Sequence, residues 1–257
     1  MRPRLVDWSL LVLVLFEAAS GLYSFLLGKP DNAWLFVLHG VTGLAILLLL
    51  FWKLRRVWRR VAELRRWDGA TWAALGALAF VLLTIASGVV WTTFHWPLGY
   101  PNGLNWHVIF GLALTLFIVL HMLLRYKPLR RADFGGRRTV LAGMAAAATG
   151  GLLWSAQAGI ARAAELPGAA RRFTGSRRVG LAPGLTFPIT MWMFDNPAPY
   201  DAAAWELAVT GAVRQPLMLS AAELGGAPST EVQAILDCTG GWYTDQRWRG
   251  IPLAWLL

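Results

Sequence analysis

The chain is poor in charge, in cysteine and in histidine. Charged residues fill only 15% of 257 positions, against about 25% in ordinary soluble domains, which excludes a conventional water-exposed surface throughout. Its one cysteine is Cys238, and a single thiol excludes an intrachain disulfide framework. Acidic residues number 14 against 24 Lys and Arg, for a net charge of +10. That balance would suit a nucleic-acid binder, but membrane-length apolar runs do not accompany such binding, so no nucleic acid is expected as a partner. Hydrophobic residues reach 56%, which excludes intrinsic disorder. What is left is a membrane protein with basic loops, in contact with lipid.

A helix needs about 20 apolar residues to cross about 30 Å of hydrocarbon. Segments 6–27, 33–52, 72–94 and 106–124 meet this, and a fifth, 139–158, is richer in Ala and Gly. Short polar or turn-forming separators stand between them, such as 28–31 and 97–103. From about Glu165 onward Asp, Glu, Pro and Gly become frequent and no membrane-length run follows. Three parts are therefore expected: a four-span bundle over 1–135, a fifth span over 136–165, and a water-exposed domain over 166–257.

Loop charge predicts the orientation. Arg2, Arg4, Lys53, Arg55, Arg56, Arg59, Arg60, Arg65, Arg66, Arg125, Lys127, Arg130, Arg131, Arg137 and Arg138 all fall on one side. The two opposite loops carry Lys29 alone. Positive charge stays inside, so the N-terminus is expected in the cytoplasm of a bacterial cell. The fifth span then sends the C-terminal domain across the inner (plasma) membrane to the periplasm or exterior. Gly136-Arg137-Arg138-Thr139-Val140-Leu141 with Ala161-Arg162-Ala163 also resembles a twin-arginine export signal with a small-residue cleavage site. Either reading sends the last domain outward; an uncleaved anchor is preferred, with four spans upstream.

All four histidines, His39, His95, His107 and His121, lie within or beside the spans. Ionisable groups at membrane depth are costly and usually functional. His107 and His121 are fourteen residues apart on one helix. At about 3.6 residues per turn they share a face, roughly 21 Å apart along the axis. His39 and His107 fall at comparable depth on antiparallel helices, where opposed imidazoles ligate one haem iron. Each could equally bond a backbone carbonyl. Gly40, Gly43 and Gly111 are small enough to admit a flat macrocycle. His95 beside Trp96 and Pro97 reads as interfacial, Glu17 as either a proton path or a bond to a neighbouring helix, and Trp52, Trp72, Trp91, Trp96 and Trp106 as interfacial anchors.

Helices two to four resemble the b-type membrane cytochromes that serve periplasmic formate dehydrogenases and nickel hydrogenases. That resemblance implies haem b between His39 and His107, the family's outer pair. The family's inner haem takes its second ligand from helix one, where this sequence has Leu5, Val6, Asp7 and Trp8. His121 therefore either holds a haem with another ligand or supplies a proton or hydrogen bond near a quinone.

In the last domain, Val232, Ala234 and Leu236 alternate with Gln233 and Asp237, which predicts a partly buried strand ending at Cys238. Gly240 and Gly241 then give a sharp turn where a bulky ligand could approach the backbone. A thiolate followed by glycines and a basic, aromatic run suits a soft metal with an anionic organic cofactor; a lone cysteine also serves as a buried structural thiol.

The runs Leu236-Asp237-Cys238-Thr239-Gly240-Gly241-Trp242 and 248–257, with Phe187-Pro188-Ile189-Thr190, 205–211 and 216–220 upstream, resemble the molybdopterin domain of the sulfite oxidase family over about 173–257. The family fold continues well past the cysteine motif, so this stretch corresponds to its front portion. The resemblance implies Cys238 as a molybdenum ligand beside the pterin dithiolene, and Arg247 and Arg249 as phosphate or substrate contacts, though surface charge explains the arginines equally.

The expected fold is thus a membrane all-α bundle, a four-helix cytochrome b plus a fifth transmembrane helix, followed by a partial α+β sulfite oxidase-like domain. The expected function is a molybdenum oxidoreductase passing electrons between a sulfite- or sulfoxide-type small molecule and the quinone pool, or another redox partner, through b haem. The rivals are a non-catalytic cytochrome b electron-transfer subunit and a non-redox membrane protein.

Overall fold

The structure, a computed structural model, describes residues 2–94, 101–134, 136–180, 188, 198–199, 201 and 203–256. His95, Trp96, residues 97–100, and Phe187, Ile189 and Thr190 of the upstream motif lie outside the described residues. Five long helices form: α1 Pro3–Ser24, α2 Ala33–Ala62, α3 Gly69–Phe94, α4 Gly103–Leu124 and α5 Arg137–Ala163. Each is long and apolar enough to cross a membrane, and together they suggest a membrane protein.

The helices outrun the apolar segments for local reasons. The basic run 53–60 continues α2 to Ala62, because no glycine or proline interrupts it. Asn102 starts α4 early: its side chain accepts the Asn105 N–H at 3.0 Å, and Asn105 Oδ1 accepts the Asn102 N–H at 2.9 Å, a reciprocal cap that satisfies two orphan donors. Asp68 opens α3 in the same way, accepting the Thr71 N–H at 2.9 Å.

Neighbouring helices run antiparallel, with α1 against α2 and α4, α3 against α4, and α5 against α2. Val6, Leu10, Val14, Ile46, Leu49, Val81, Leu114 and Ala146 form the shared core. Small residues let backbones close up: a Cβ at Gly150 of α5 would run into the Val41 carbonyl of α2, and Trp154 of α5 lies over Gly40. Gly40 is therefore filled by an indole, whereas the sequence suggests it as room for a macrocycle. Leu116, Leu152 and Phe51 face outward, as lipid-contacting side chains do.

The chain divides into two compact units, Met1–Arg177 with Cys238–Trp242, and Arg178–Asp237 with Tyr243–Leu257. The C-terminal region is small and sheet-containing. It comprises β1 Arg177–Arg178, β2 Glu206–Val209, β3 Leu217–Ser220, α6 Ala221–Gly226, β4 Thr230–Cys238, β5 Trp242–Gly250 and α7 Leu253–Leu256. One sheet runs β1-β5-β4 and the other pairs β2 with β3 antiparallel, Glu206 opposite Ser220. The strand ends at Cys238, where alternation places it, but Val232 and Leu236 are about half exposed. Among the described residues, no second layer covers these side chains.

Candidate functional site

His39 enters from α2 and His107 from α4, and their ring centres stand 6.1 Å apart with planes at 76°. Two imidazoles binding one ion from opposite sides through Nε2, with metal–nitrogen bonds of about 2.0–2.1 Å, put their ring centres roughly 6 Å apart. The pair therefore fits an iron porphyrin in spacing. Each ring is aimed through Nδ1, as metal-binding histidines usually are. His107 Nδ1 lies 2.9 Å from the Thr84 carbonyl oxygen and 3.4 Å from Ser87 Oγ, both on α3. His39 Nδ1 lies 2.9 Å from Ser20 Oγ and 2.9 Å from Glu17 Oε2, both on α1. With Nδ1 so engaged, Nε2 is the nitrogen of each ring that could hold a metal.

The glycines beside these rings are Gly21 and Gly88. A Cβ at Gly88 would sit 2.9 Å from His107 Cε1, and one at Gly21 would sit 3.3 Å from His39 Cε1. Sequence reasoning selected Gly40, Gly43 and Gly111 by adjacency along the helix, and so missed both. The usable signal was a glycine in a neighbouring span at matching depth. A Cβ at Gly43 would instead meet Glu17 Oε2 at 3.4 Å, and one at Gly111 would meet Thr84 Cγ2 at 3.8 Å, both ordinary contacts.

His121 is not brought to either histidine. Its Nδ1 lies 2.9 Å from the Ala70 carbonyl at the opposite end of the bundle, beside a small cleft lined with Asp7, Trp8, Lys53, Arg125 and Lys127. Asp7 there accepts from Lys53 at 2.8 Å and Arg56 at 3.1 Å. Asp68, paired with Arg60 at 3.3 Å and with Arg125, is held below the ordinary carboxylate range, chiefly by the hydroxyl of Thr71 and then by its amide and Arg125.

Cys238 is half-buried. The turn that follows it packs on the helix ends within the same compact unit. Asn102 Nδ2 donates to the Gly240 carbonyl at 2.9 Å. Gly241, at φ 85°, lies so close to the Trp91 indole that a Cβ would overlap it. Trp91 is consequently only 3% exposed: it is a floor for this turn rather than the interfacial anchor read from its place near a segment end. The Gly240 N–H points at Cys238 Sγ from 3.3 Å, a contact that suits a thiolate ligand.

Among the described residues no three His, Cys, Asp or Glu side chains cluster as a metal-holding group. Cys238 offers one sulfur donor, a type that suits a soft metal whose other ligands come from an organic cofactor. Arg247 and Arg249 lie on β5, toward the open end of the β4–β5 hairpin. Arg247 pairs with Glu231 at 3.6 Å and Arg249 Nε donates to Ser229 Oγ at 2.8 Å. Both partners precede Cys238 by seven or more residues, roughly 20 Å or more of strand.

Five helices long and apolar enough to cross a membrane, followed by a small sheet-containing C-terminal region, suggest a membrane protein with an appended segment. Residues 194–257 of that segment match the family model of the oxidoreductase molybdopterin binding domain. The match supports a molybdenum oxidoreductase kind and a molybdenum–molybdopterin cofactor. No curated protein and no solved structure matches the chain.

Proposed function

We propose that this chain is a membrane-bound molybdenum oxidoreductase that exchanges electrons between a small sulfite- or sulfoxide-type substrate and the quinone pool through b haem. The observation that carries the reading is the pairing of His39 with His107 in the same compact unit, and at the same helix ends, as the Cys238 turn. His39 and His107 would hold the haem iron, and Thr84 holds the His107 ring in its orientation through Nδ1. Cys238 supplies the sulfur, with the Gly240 amide donating to it and Trp91 and Asn102 fixing the turn. When bound, molybdopterin supplies two-electron oxygen-atom chemistry and haem supplies one-electron carriage.

The basic end of the bundle, with Lys53, Arg56, Arg60 and Arg125, belongs on the cytoplasmic side by the distribution of charge. The Cys238 turn then faces the periplasm of a bacterial inner membrane. The packing of α5 on α2 through Gly150 and Trp154 supports a retained anchor. The arginines at 247 and 249 act first as cross-strand ties to Glu231 and Ser229.

The test is metal and optical analysis of the whole gene product from cells supplied with haem and molybdate. Expected are a Soret band and stoichiometric molybdenum in the wild type, with molybdenum lost and haem kept in Cys238→Ala. Absence of the band ends the cytochrome assignment; equal molybdenum in both proteins ends the ligand assignment. A haem-replete protein without molybdenum is the electron-transfer subunit instead.

A further inference from the structure

A carboxylate within an apolar span is costly unless its oxygens are met. Both oxygens of Glu17 are: Oε1 accepts from Thr42 Oγ1, and Oε2 lies 2.9 Å from His39 Nδ1. Ser20, one turn along α1, places Oγ 2.9 Å from the same nitrogen. Gly43 on α2 lies beside the carboxylate: a Cβ there would stand 3.4 Å from Glu17 Oε2, in ordinary van der Waals contact. The partner ring is served differently. His107 Nδ1 meets a neutral peptide oxygen, that of Thr84, at 2.9 Å and a hydroxyl, that of Ser87, at 3.4 Å.

We propose that Glu17 is a positioning residue for His39, and that it lowers the reduction potential of a haem held between His39 and His107. The inference rests on the haem reading above and names what regulates that same site. A carboxylate accepting the Nδ1 hydrogen fixes the tautomer with its lone pair on Nε2. It also pushes electron density through the ring toward the metal, as outer-shell carboxylates do for metal-bound histidines. Its negative charge lies next to His39 in a medium of low dielectric, where charges interact far more strongly than in water. Both effects favour the more positive, oxidised iron. A neutral carbonyl does the first weakly and the second not at all. The two axial ligands are thus unequal by construction, and the inequality comes from a single residue of α1.

The experiment is an equilibrium redox titration of the haem bands in the purified full chain, comparing the wild type with Glu17→Gln. The amide keeps the shape and an acceptor oxygen but removes the charge. The expected result is retained haem, with at least a tenfold rise in the reduced-to-oxidised ratio at fixed ambient potential, equivalent to about 59 mV for one electron. An unchanged or lower midpoint overturns the proposal. If Glu17→Gln carries no haem, Glu17→Asn, which also removes the charge, decides on the same readout: a raised midpoint supports it, and a wild-type midpoint overturns it. Loss of haem from both variants also overturns it, because Glu17 is then a requirement of assembly rather than a modulator. A wild type without haem bands defeats the haem reading itself, a separate outcome.

Discussion

The two ends of the helical bundle carry the same residue type on the same helix and use it differently. At one end His107 faces a second imidazole across 6.1 Å, with serine, threonine and glutamate groups behind the two rings. Fourteen residues further along α4, His121 faces a backbone carbonyl and a cleft of cations around Asp7. Spacing along one helix therefore does not create two equivalent sites. What faces each histidine from the neighbouring helices decides its chemistry: α2 offers His39 at one level, and α1 offers Leu5, Val6, Asp7 and Trp8 at the other. The polar end is organised by ion pairs around Asp7 and Asp68, whereas the two rings at the other end are held mainly by directed hydrogen bonds.

The largest effect should follow from breaking the pair. His39→Ala and His107→Ala should each remove essentially all haem absorbance, whereas His121→Ala should leave the spectrum of the pair in place. Equal loss in all three, read from the haem-to-protein ratio after purification, would abolish the distinction between the ends. Gly88→Val asks the same question through shape. Its Cβ would come within 2.9 Å of His107 Cε1, and Thr84 fixes that ring, so the ring must turn out of place. Overpacking of this kind costs about 1–3 kcal/mol, a loss of roughly five- to 150-fold in haem affinity. Gly143→Val, where a side chain meets open space, should leave haem affinity unaltered.

At the other end the effects should be smaller. Asp7→Asn weakens the ties to Lys53 and Arg56, whose side chains are 19% and 31% exposed. Partly exposed pairs of this sort contribute on the order of 1 kcal/mol or less. The melting temperature in detergent should fall slightly while the haem spectrum stays unchanged. A lost haem signal would mean that the two ends communicate.

Much of this contrast was legible in the amino-acid sequence. Long apolar runs specify spanning helices almost without reference to tertiary context, because the backbone can satisfy itself only as helix in a membrane. The His39–His107 pairing followed from depth on antiparallel helices, and the strand ending at Cys238 from alternation. The partners of those side chains were not legible. Whether Gly40 receives a macrocycle or Trp154 depends on how α5 packs, and whether Trp91 faces lipid or the Gly241 turn depends on where the Cys238–Trp242 segment rests. Both are contacts between residues far apart in sequence, set by packing rather than by period. Glu17 stood out as an oddity in an apolar run, yet its two partners lie on α2, and rotation of α1 about its own axis is not encoded in composition.

Acidification should separate the ends most gently. Asp68 lies at the polar end, and its carboxyl is held below the ordinary value of 3.8 by Thr71 first and Arg125 after it. A carboxyl depressed in the folded state adds stability that is present above its unfolded value and is lost as the pH falls through the folded one. Thermal melts from pH 6 downward should therefore show the wild type losing an increment below about pH 4 that Asp68→Asn lacks. Because Asp68 is exposed to solvent, the increment should be small and should shrink further with added salt. Identical acid profiles for the two proteins would mean that the Thr71 and Arg125 contacts contribute nothing to holding the start of α3, and that end of the bundle would then rest on apolar packing alone.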